Sequence, residues 1–123
     1  MTQPDAHELL DIARSTLLEQ LLPALPGELR YPALMIANAM AIAARESRLG
    51  ALAEDQERTR LAALVDEAPA ALPDLRRQLA RAIRLGSHDA PQNHRTLVET
   101  LRQVTLARLA ISNPKALNRP GFP

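Results

Sequence analysis

Side chains that favour strands are almost missing from this chain. Of its 123 residues, Ile, Val, Tyr and Phe together supply ten and Trp none, whereas Ala and Leu supply 22 each. Sandwiches and barrels fill their pleated faces with β-branched and aromatic residues, so this composition argues against them and predicts an all-α fold. The length suits one domain, enough to bury about two-thirds of the surface that the unfolded chain exposes. With no Cys, disulfides, thiolate metal sites and Cys nucleophiles are excluded together.

Charge narrows the partners. Fifteen basic and fourteen acidic residues leave a formal net charge of +1, without the excess of a dedicated nucleic-acid binder. Asp5, Glu8, Asp11 and Glu19 interrupt the first 25 residues, which no secretory apolar core would tolerate. The longest nearly uncharged stretch, from Tyr31 to Ala44, falls short of the roughly 20 apolar residues that cross a bilayer. A cytoplasmic protein with no membrane contact is expected. Fourteen of the fifteen basic residues are Arg, which with the Ala and Leu excess suggests a GC-rich bacterial coding sequence.

Pro and Gly divide the chain into about five helices. Thr2 offers an N-cap hydroxyl, and Leu9, Ile12, Ala13, Thr16, Leu17 and Leu21 then recur as one apolar stripe until Pro23, Pro26 and Gly27 end the helix. The second helix is expected from Pro32 to Gly50, with Pro in its first turn and Gly as a left-handed cap. Its first half, L-M-I-A-N-A-M-A-I-A-A, has almost no polar face and predicts a buried central helix. A third helix runs from about Ala53 to Val65, charged at first and apolar at Leu61, Leu64 and Val65. Asp74 opens a fourth, with Leu75, Leu79, Ala82 and Ile83 inward and Gly86 as its end. Asp89, Pro91 and Gln92 open the fifth, which carries Leu97, Leu101, Val104, Ala107 and Ile111 on one stripe. Connections of this length favour a compact, mostly antiparallel bundle over residues 1–112. Residues 113–123, N-P-K-A-L-N-R-P-G-F-P, read as an extended, Pro-rich tail.

Few residues stand out as candidate sites. Asn38 lies in the segment expected to be buried, where an unpaired amide costs on the order of 1–3 kcal/mol. It either ties two helices together or meets a ligand or partner. Arg45 follows seven residues later on nearly the same face, beside Glu46 and Arg48; a guanidinium there either recognises a carboxylate or phosphate or ends the helix in ordinary ion pairs. Arg77, Arg81 and Arg84 form one basic stripe on the fourth helix, with Arg76 alongside. That stripe is either a solvated face or a contact for phosphates, a membrane surface or an acidic partner. Tyr31 and Phe122 are the only aromatics, so stacking on bases is almost unavailable, and a helix-turn-helix with this helix as reader is disfavoured by the near-neutral net charge and the lack of flanking Lys. His7, His88 and His94 lack metal-pair spacing and are expected at the surface. No Ser has a local sign of activation, no glycine-rich phosphate loop occurs, and neither catalysis nor a cofactor is implied.

Five segments in fixed order carry a resemblance. They are A-H-E-L-L-D-I-A-R at 6–14, L-L-P-A-L-P-G-E-L-R-Y at 21–31, I-A-N-A-M-A-I-A-A-R-E at 36–46, A-I-R-L-G at 82–86 and L-A-R-L-A-I-S-N-P at 106–114. Together they resemble a bacterial helical domain family of unknown function, encoded beside or fused to aminoglycoside-phosphotransferase-like kinases and often near acyl-CoA dehydrogenases. The family's pattern has an aromatic residue and a His after Arg30; here the run is Arg30-Tyr31-Pro32, with no His. The resemblance implies Asn38, Arg45, Glu46, Arg84 and Asn113 as pattern positions without giving them a chemical role. It also implies a partner, a phosphotransferase-like protein that this chain would serve as a non-catalytic accessory. A homo-oligomer is the other assembly expected. The alternative function is a small-ligand binder that holds an acyl or CoA-type molecule between helices, its phosphates met by Arg77, Arg81 or Arg84.

Overall fold

Residues 3–118 are described by a computed structural model, and among them the chain forms four α-helices and no strand. These are α1 (Ala6–Thr16), α2 (Gly27–Ala62), α3 (Leu72–Arg84) and α4 (Pro91–Ser112). The first helix is capped by Asp5, whose side chain accepts from the Glu8 amide at 2.9 Å. Thr2, the expected cap, lies outside the described residues. A π-helical turn (Leu17–Leu21) and a 3-10 turn (Leu22–Ala24) then lead to the Pro26-Gly27 corner.

The second and third expected helices are one. Gly50 does not take the left-handed conformation that a cap requires; among the described glycines only Gly86, with φ +84°, does. The residues around Gly50 favour helix, so one weak position costs only about 1 kcal/mol and the hydrogen-bond ladder continues through it. The start also differs. α2 opens at Gly27, and Pro32 sits inside it, forgoing only the bond that its N–H would have given the Glu28 carbonyl. At 36 residues α2 is about 54 Å long.

Gly86, Pro91 and Asn113-Pro114 punctuate the remaining chain as expected. The tail begins with a 3-10 turn over Pro114–Asn118 instead of extended chain, and residues 119–123 lie outside the description. None of the described helices is long and apolar enough to cross a membrane.

The described residues fall into two units, one drawn from Met1–Gly50 and Ile111–Pro114, the other from Ala51–Ala110 and Lys115–Pro123. In the second, Leu61, Leu72, Leu75, Leu79, Leu97 and Val104 form a buried leucine-rich core, with Ala62, Leu64 and Val65 packed against it. Leu75 is fully enclosed. Gln78 reaches back to the Asp66 carbonyl at 2.9 Å and fastens the loop before α3. In the first unit the buried residues are small, chiefly Ala33, Ala37 and Ala44, with Ile111.

Candidate functional site

The first half of α2 is not the enclosed helix that its composition suggests. Ala33, Ala37 and Ala44 occupy one buried side, while Leu29, Tyr31, Leu34, Met35 and Ile36 are exposed. Tyr31, Leu34, Met35, Asn38 and the half-buried Ile42 recur at three- and four-residue steps, so they form one outward stripe. Tyr31 is 71% exposed and Met35 51%. Asn38, expected to be buried, is exposed in the middle of this apolar face. The reason is a shortage of cover, because within its unit α2 has only the 11 residues of α1, the two short turns over Leu17–Leu21 and Leu22–Ala24, and a segment near Ile111 to pack on. Alanines allow close approach on that side and leave the larger side chains facing out. α1 behaves alike: it buries none of its residues, and Leu9 and Ile12 of its expected core stripe are exposed. Among the described residues, eight of the thirteen exposed large hydrophobics fall in this smaller unit.

Arg45 leaves the stripe for a structural bond. Its Nε donates to the Ile111 carbonyl at 2.6 Å. That oxygen belongs to the last turn of α4, where carbonyls lack helical partners and a cation is favoured by the helix dipole. Arg14 of α1 does likewise, its Nε donating to the Ala37 carbonyl at 3.1 Å. Glu46 is exposed and lays its carboxylate over Gly50, and Asn113 is exposed just beyond α4.

The expected basic stripe of α3 is divided. Arg77, Arg81 and Arg84 are exposed, and Arg77 pairs with Asp74 at 2.7 Å. Arg76 turns instead to Glu57, its Nε and an Nη donating to the two carboxylate oxygens at 2.6 and 3.0 Å. Arg108 of α4 closes on the same carboxylate at 2.8 and 2.9 Å. Glu57 is 5% exposed, and the hydrogen bonds from Arg76, then from Arg108, hold its carboxyl below the ordinary carboxylate range against the opposing effect of burial. The same bond raises Arg76. Nothing local announces this triad, because its members are 19 and 51 residues apart and Glu57 sits in a charged run, E-D-Q-E-R-T-R. Nor is His88 at the surface as expected. It is buried beside a cleft of about 460 Å³ that Asp66, Gln78, Ser87, Asn93 and Thr96 also line, and its Nε2 has no hydrogen-bond partner among the described residues.

The sequence pattern of the domain of unknown function DUF6285 matches residues 23–116. The chain belongs to that family. The matched region takes in the whole of α2, α3 and α4 of this DUF6285 chain, hence the exposed stripe, Arg45 and the Glu57 triad; α1 precedes it. No curated protein and no solved structure matches the chain.

Proposed function

We propose that this DUF6285 chain is a non-catalytic accessory protein of the bacterial cytoplasm that docks on a phosphotransferase-like enzyme through the outward face of α2. The observation that carries this reading is the exposed stripe of Tyr31, Leu34, Met35 and Asn38. A contiguous apolar face of this kind, with one amide at its centre, is the usual form of a surface that is covered in an assembly. The large side chains supply the area removed from water. Asn38 supplies register, because an amide brought into an apolar interface must meet a partner's donor or acceptor. The choice of enzyme partner rests on the resemblance to helical proteins encoded beside such kinases.

Co-expression with an adjacent phosphotransferase-like protein tests the proposal. The two are expected to co-purify at a fixed ratio through gel filtration. A self-associated chain that leaves the enzyme behind would assign the stripe to a second copy and refute the enzyme partner.

A further inference from the structure

A second feature of the first unit lies apart from the outward stripe. A cleft of about 240 Å³ opens between α1 and α2, lined by His7, Asp11 and Arg14 on one side and by Ala41, Ala44, Arg45 and Arg48 on the other. Three guanidinium groups therefore border one small space. Two of them are held in place from behind, since Arg14 spends its Nε on the Ala37 carbonyl and Arg45 its Nε on the Ile111 carbonyl. With Nε occupied, each keeps the terminal pair of NH2 groups, and among the described residues neither pair has a partner. The Arg48 guanidinium has none at all among them. The single acid of the cleft, Asp11, lies with its Oδ2 3.3 Å from His7 Nδ1 and not against an arginine. Ala41 and Ala44 leave room between the cations.

We propose that this cleft binds the phosphoryl group of a small soluble phosphate monoester. Three cations, two of them fixed, face one carboxylate and leave an excess of two positive charges, which a dianion matches and a simple carboxylate does not. Guanidinium edges anchored through Nε present parallel N–H groups in the spacing of two phosphoryl oxygens, and fixing them beforehand reduces the ordering cost of binding. The volume lies below the roughly 300–1,000 Å³ of drug-sized pockets, so the cleft has room for a phosphoryl group with a short substituent. The site differs from the α3 contact anticipated for a CoA-type ligand, because Arg77, Arg81 and Arg84 belong to the other unit.

Isothermal titration of the full chain with glycerol phosphate at low salt tests this site, with acetate and phosphatidate vesicles as comparison ligands. Saturable one-to-one binding of glycerol phosphate, with no binding of acetate, is expected. Arg48→Gln removes a side chain without hydrogen bonds, so it should leave the melting temperature unchanged and weaken binding about tenfold or more. Asp11→Asn removes the opposing charge and should tighten binding. Absence of saturable binding, equal binding of acetate, binding to vesicles alone, or an affinity indifferent to Arg48→Gln would each overturn the proposal.

Discussion

Arg76 Nε lies 2.6 Å from Glu57 Oε2, joining α3 to the far half of α2. With Arg108 on the other side, the carboxylate of Glu57 becomes the acceptor that links three helical segments of one unit. Its side chain is 6% exposed, whereas those of Arg76 and Arg108 are 45% and 55% exposed. The acid is therefore the member that cannot be lost. Glu57→Gln removes the negative charge, leaves two cations adjacent, and should destabilise the unit by about 1–3 kcal/mol, below the cost of breaking a wholly buried pair because water still screens the arginines. Chemical denaturation of the two proteins checks the difference.

The same carboxylate makes stability depend on acid. Its folded pKa is lowered from the ordinary 4.5, so the unfolded chain takes up a proton first as the pH falls. The stabilisation is complete above the unfolded value and is lost as the pH falls through the folded one. Melting temperatures followed downward from pH 6 should drop more steeply for the natural chain than for Glu57→Gln. Parallel curves would remove Glu57 from the account.

Gly50 and Gly86 should respond oppositely to alanine. Gly50 lies within α2, where Ala gains about 0.5–1 kcal/mol; a methyl group added there would meet Glu46 Oε1 at 2.5 Å, the movable end of an exposed side chain. Gly86 has φ +84°, so Ala there should cost about 1–2 kcal/mol. Two thermal melts distinguish a continuous α2 from a helix that ends at Gly50, since in the second case both substitutions would destabilise.

Asn38→Ala should change the stability of the isolated chain by no more than about 0.5 kcal/mol, as expected of an exposed position. A loss of about 2 kcal/mol on denaturation would mean that the amide is buried in a partnered network.

What the sequence revealed divides along a physical line. Segment ends at Gly86, Pro91 and Pro114 were legible because Pro and Gly act on their own backbone, whereas Pro23 sits inside the 3-10 turn Leu22–Ala24 and α1 already ends at Thr16. Leu61, Leu75, Leu79, Leu97 and Val104 were legible as core because each belongs to an apolar stripe with a polar opposite face. The α2 segment misled for the converse reason: an apolar circumference records that a helix can be covered on all sides, not that its own chain covers it. Gly50 misled because a glycine is compatible with both a cap and a helix interior. The Glu57 triad and the Arg14–Arg45–Arg48 cleft depend on residues brought together from distant positions, and periodicity carries no trace of such pairings. Arg45, Arg48 and Arg76 are legible as basic residues on their helices, but not the Ile111 carbonyl that anchors Arg45 or the Glu57 carboxylate that takes Arg76.

The exposed face of α2 is the centre of the account. Light scattering on the product of co-expression with an adjacent phosphotransferase-like protein measures it most directly, for the natural chain and for a Leu34→Glu, Met35→Glu double variant. The expected result is a hetero-complex of defined mass with the natural chain, and a folded but separate chain with the variant. A complex of the same mass from both proteins, or no complex from either, would contradict the assignment of this face.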